Sequence, residues 1–78
     1  MPRSLAEQLQ CLLGANLRRL RERNGMTQEE AAETVGVNWR HWQKLEAGEV
    51  NVTLKTLAKI CEGMGVDIRK LFTPPRSR

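Results

Sequence analysis

Leucine recurs along the first third of the chain at spacings of three and four, at Leu5, Leu9, Leu12, Leu13, Leu17 and Leu20. That period predicts an amphipathic helix over residues 4–24, or two abutting ones. Ser4 followed by Glu7 has the form of a capping box at its start, and Gly25 supplies its stop. Gly14 weakens the middle of the run, so the first residues are expected to form a separate turn or an extension. A second capping box, Thr27 with Glu30, opens a short helix whose apolar stripe is Ala31, Ala32 and Val35 and which ends at Gly36. Asn38 then caps a third helix ending at Gly48, with Val37 and Trp42 spaced as a hydrophobic staple. Thr53 caps a fourth, which carries Leu54, Leu57, Ala58, Ile60 and Cys61 and is closed by Gly63 and Gly65. Asp67 caps a short fifth through Phe72, with Val66 and Leu71 as its staple. No stretch alternates with a period of two, so the pattern predicts an all-α fold of five short helices.

A chain of 78 residues holds one compact domain, expected over 1–78 with its core at about 5–72 and a disordered basic tail at 73–78. In a chain of this size neither a catalytic cleft between domains nor a separate ligand-sensing domain is expected. Hydrophobic residues are 40% and aromatics only 4%, so the core must be mostly aliphatic. It is thin enough that a partner subunit is expected. Cys11 and Cys61 lie far apart and outside any metal-ligand spacing, which reads as two reduced thiols with no disulfide scaffold. His41, the single histidine, has no acidic or thiol neighbours arranged as ligands. No metal, cofactor or catalytic constellation is implied, and the chain is not expected to be an enzyme. Glu7, Gln8 and Gln10 interrupt the leading leucines, so neither a signal peptide nor a membrane span is expected, and the protein reads as cytoplasmic.

Thirteen Lys and Arg against nine Asp and Glu leave a net charge of +4. That balance fits nucleic acid, a membrane surface or an acidic protein, and only the placement of the charges decides. Thr27 to Gly48 spells a capped short helix, a turn at Gly36 and a second capped helix of similar length: a helix-turn-helix. Ala31, Ala32 and Val35 are small enough for the next helix to cross closely, and Gly36 takes the positive φ of the turn. On a helical wheel the third helix divides in two. Trp42, Leu45 and Glu46 fall on one side with the Asn38 cap; Arg40, Gln43, Lys44 and Ala47 fall on the other, with Trp39 at the flank. Arg, Gln and Lys on one face carry the donors that read guanine and adenine edges or grip phosphates, and that face starts at a helix N-terminus. Outside such a motif the same residues would be an ordinary solvated face.

GANLRRLRERNGMTQEEAAETVGVNWRHWQKLEAG resembles the phage repressor and Cro, or XRE-type, helix-turn-helix family, and the likeness continues through LKTLAKICEGMGVDIRKLF to Phe72. Gln28, Ala32, Gly36, Val37, Leu45, Glu46 and Gly48 at this spacing carry it. The resemblance implies a five-helix lambda-repressor-like domain that binds double-stranded DNA in the major groove as a transcription regulator. It implies that Gln28 contacts backbone phosphate and that Asn38, Trp39, Arg40, Gln43 and Lys44 face the groove. It also implies that Arg21 and Glu46 tie the first helix to the end of the third. Trp39 replaces a residue that is often small or polar in the family, and its indole suits a thymine methyl or a sugar, or else completes the bundle or meets protein. Val66, Ile68, Leu71 and Phe72 are too many apolar residues for a short fifth helix to bury inward, so a homodimer seam on a palindromic operator is expected there. Short restriction-modification controllers are the most similar members. An antitoxin or another protein-interaction module of the same fold, with a toxin or other protein as its partner, is the alternative.

Overall fold

The computed structural model describes residues 3–74, so residues 75–78 of the expected tail lie outside it. Five helices follow one another: α1 (Leu5–Arg23), α2 (Gln28–Val35), α3 (Trp39–Glu46), α4 (Leu54–Met64) and α5 (Ile68–Leu71). No strand occurs among the described residues, and none of their helices is long and apolar enough to cross a membrane. Both capping boxes form. The Ser4 hydroxyl accepts from the Glu7 N–H while Glu7 accepts from the Ser4 N–H, and Thr27 and Glu30 repeat the exchange. Gly36 ends α2 at φ +79°, the left-handed conformation that turns the chain into α3.

Trp42, Leu13, Leu17, Leu45, Ile60 and Leu71 are the largest wholly buried side chains, so every helix except α2 sends a large apolar group inward. α2 contributes Ala31, Ala32 and Val35, whose small size lets α3 and α4 approach it. Among the described residues Asn16 is the one polar residue buried as a whole, and it is satisfied. Its amide donates to the Leu71 and Thr73 carbonyls at 2.9 Å each, while its oxygen accepts from Arg19 at 2.8 Å. These bonds hold the end of α5 against α1 and keep Thr73, the first residue of the expected tail, in place.

Three expectations change. Gly14 does not divide the first helix, which runs unbroken for 19 residues. It marks instead where α1 crosses the end of α3: a Cβ there would lie 2.5 Å from the Glu46 carbonyl oxygen and 2.6 Å from that of Leu45. Gly63 likewise does not close α4 but lies inside it, where a Cβ would come within 2.8 Å of the Thr34 carbonyl oxygen. Leu71 is no part of an outward seam, because it is fully buried as the inward anchor of α5.

Gly14→Ala tests the crossing. In an exposed helix interior this change would stabilise by about 1 kcal/mol through helix propensity. Here the added methyl meets backbone that cannot rotate away, so a net destabilisation of about 1–3 kcal/mol is expected. Urea unfolding measures it; a more stable variant would show that α1 and α3 can separate at no cost.

Candidate nucleic-acid interface

The network behind the interface centres on Glu46, the last residue of α3. A carboxylate at a helix C-terminus faces the negative pole of the helix dipole, and this one is also shut away from water, its side chain only 5% exposed. Four N–H groups compensate. Arg21 donates through Nε at 2.5 Å and Nη2 at 3.2 Å, Trp42 through its indole at 2.5 Å, and Gln28 through Nε2 at 3.1 Å. Burial pushes the Glu46 carboxyl up, but the bonds from Arg21, Gln28 and Trp42 and the Arg21 charge outweigh it and hold it below the usual range. Arg21 in turn is raised above its ordinary value by its bond to Glu46. The guanidinium also donates to the Met26 carbonyl at 2.9 Å, so one side chain braces the loop before α2 as well as α3.

Pinned this way, with Trp42 and Leu45 buried beneath it, α3 turns its other side to solvent. Arg40, Gln43 and Lys44 are all exposed and line a shallow depression with Ala47 and Glu49. Among the described residues neither Arg40 nor Lys44 is held in an ion pair. Both cations stand ready for an external anion. Trp39 is 43% exposed at the start of the helix. The Asn38 side chain accepts from the Arg40 N–H at 2.8 Å, so its oxygen is already engaged as the helix cap. Gln28 is half-buried at the head of α2, and its oxygen accepts from Gln43 Nε2 at 3.4 Å. The six residues picked from the sequence therefore gather at the α2–α3 junction and along the outer face of α3.

Two parts of this arrangement were not expected. Glu49 brings a carboxylate to the rim of the basic face, although it follows the helix and no helical wheel includes it. Glu46 also takes Gln28 and Trp42 as donors besides Arg21; the spacing of Trp42 one turn before Glu46 was a signal for the indole bond. His41 is half-buried. No group of three or more metal-ligating side chains occurs among the described residues.

A short helix laid over α2 across a glycine turn, held from behind and bare in front, defines a helix-turn-helix protein. The chain belongs to the helix-turn-helix domain family, whose model matches residues 12–71. Family and fold are those of DNA-binding transcription regulators, not enzymes. Among its relatives is the uncharacterized HTH-type transcriptional regulator y4dJ of Sinorhizobium fredii, 38% identical over 63 residues that cover 81% of this chain and 82% of that one. Control protein C.SmaI of Serratia marcescens is 34% identical over 80% of this chain and 74% of its own. The crystal structure of the restriction-modification controller protein C.AhdI from Aeromonas hydrophila superposes with a TM-score of 0.77 at 30% identity, covering 81% of this chain and 96% of that one. The XRE-type resemblance read from the residues, and its leaning toward controller proteins, is thus borne out.

Removing the Glu46 carboxylate strands Arg21 and the Trp42 indole N–H, so Glu46→Ala should cost about 2–4 kcal/mol at neutral pH. A carboxyl whose folded pKa lies below its unfolded value, about 4.3, stabilises fully above that value and loses its contribution as pH falls through the folded one. The difference between wild type and variant in urea unfolding should therefore shrink as pH falls below about 4.3, and go on shrinking until the lower folded-state pKa is passed. A gap that persists undiminished at about pH 3 would show that the carboxylate's charge is not what holds α3.

Proposed function

We propose that this chain regulates transcription by binding a palindromic operator as a homodimer, with α3 of each protomer in successive major grooves about 34 Å apart. The observation that carries the reading is the outer face of α3, where Arg40, Gln43 and Lys44 stand exposed together opposite buried Trp42 and Leu45. Arg40 and Gln43 supply donors for base edges, Lys44 grips phosphate or guanine, and Trp39 packs on a thymine methyl or sugar. Gln28 and the first N–H groups of α2 take a backbone phosphate, and Asn38 fixes the start of α3 beside the groove. The whole chain acts as a single domain in the cytoplasm. Its likeness to C.SmaI and C.AhdI supports a regulator of the controller type.

The proposed seam lies on α5 together with α4. Ile68 is 43% exposed and Val66 and Phe72 are half-buried, while Leu54 at the start of α4 is 83% exposed. Ala58, one turn further along α4, is exposed too. Apolar side chains so placed gain by meeting a second copy.

Selection of bound duplexes followed by titration against salt tests the main reading. A defined palindromic site is expected, with log K falling against log salt by about 0.9 per phosphate contacted. On that site Arg40→Ala should cost about 1–3 kcal/mol and relax preference at one base pair. Equal loss on every sequence would reduce Arg40 to a phosphate contact, and sequence-blind binding by the wild type would end the regulator reading. Leu54→Arg, a change on an exposed side chain, should leave the melting curve of the monomer fold intact while turning a sedimenting dimer into a monomer. A wild type that sediments as a monomer at micromolar concentration would remove the seam.

A further inference from the structure

We propose that Glu46 is a positioning residue for base recognition: acting through Gln28, it fixes which way the Gln43 carboxamide faces and so favours adenine opposite Gln43. This rests on the reading of α3 as the helix that enters the groove.

A carboxylate only accepts hydrogen bonds, so the Gln28 amide can approach Glu46 only with its NH2 group, as the 3.1 Å bond from Nε2 records. The Gln28 oxygen must then point the other way, toward the outer face of α3, and there it accepts from Gln43 Nε2 at 3.4 Å. Reversing the Gln28 amide would set oxygen against carboxylate on one side and NH2 against NH2 on the other, losing both bonds together. The orientation imposed in the interior is therefore passed outward through two amides.

What remains on Gln43 is one N–H and the carbonyl oxygen. Adenine presents one acceptor and one donor in the major groove, N7 and N6, and matches that pair. Guanine presents two acceptors, N7 and O6, and would require both Gln43 N–H groups, one of which is taken by Gln28. The Gln28–Gln43 bond is at the long end of hydrogen-bond distances, so the bias expected from it is about 5- to 10-fold, toward the lower end for a bidentate contact. A carboxylate that never meets the duplex thus contributes to which base is chosen.

The test measures binding of purified full-length variants to duplexes carrying the wild type's selected operator, varied one base pair at a time. Gln43→Ala locates the base pair that Gln43 reads. Glu46→Gln lets the Gln28 amide pair either way round, and Gln28→Met removes the relay while leaving the Arg21, Trp42 and Glu46 bonds in place. Both should lower the preference for adenine at that one base pair part of the way toward the level of Gln43→Ala, with preference at the Arg40 base pair unchanged. Added to Gln43→Ala, neither should lower it further. If both variants lose affinity equally on all sequences and keep the adenine preference, Glu46 is structural only and the proposal is overturned. Should Glu46→Gln fail to fold, Gln28→Met decides by itself. If Gln43→Ala changes no base preference, the relay falls while the regulator reading stands; if the wild type selects no site at all, both fall.

Discussion

A carboxylate closed off from water at the wrong end of a helix dipole has to be compensated, and the way Glu46 is compensated organises this domain. Its donors come from α1, from the head of α2 and from its own helix. Breaking any one strands a buried polar group, so the orientation of α3 relative to its two neighbours is specified by chemistry as well as by packing. Gly14 and Arg21 belong to the same device. Seven residues apart, they share a face of α1: the glycine lets the backbone close on the Glu46 carbonyl, and the arginine then reaches the Glu46 side chain.

An eight-residue helix such as α3 has little stability alone, since nucleation consumes most of what its few internal hydrogen bonds return. It persists because Trp42 and Leu45 are wholly buried beneath it, Asn38 caps its start and Glu46 locks its end. None of these devices uses the outer face. Arg40, Gln43 and Lys44 are therefore relieved of any duty in the core, and substitutions among them should leave the fold intact.

Features that depend on one residue's local geometry were readable in the sequence. Capping residues, the glycine of the α2–α3 turn and the two-sided pattern of α3 each act within a few residues of themselves, so their positions along the chain suffice. Features that depend on an approach between distant segments were not. Gly14 and Gly63 read as helix breakers because a missing Cβ leaves the same trace in a sequence whether it frees a backbone or admits a neighbour. Asn16 sits in the leucine stripe of α1, and only the arrival of the Leu71 and Thr73 carbonyls explains why a polar group is tolerated there. Leu71 looked available to a partner because periodicity cannot rank by depth four apolar residues in so short a segment, whereas the fold gives it the innermost place and leaves Ile68 outside.

The proposed dimer and the proposed groove contact make different demands, and they fall to different helices of the fold. The proposed pairing would use apolar groups of α4 and α5 and the proposed binding the polar face of α3, while Trp42, Leu45 and Ile60 stay in the core. Their link is then chiefly geometric. A second copy places a second α3 at a set distance, so each half-site, once engaged, raises the effective concentration of the other. A domain this small has little stability of its own to spare, and ligand-bound dimer is favoured by mass action over both free monomer and unfolded chain. Under that scheme the operator recruits the seam as much as the seam serves the operator, and weak self-association in free solution is compatible with tight, cooperative occupation of a palindrome.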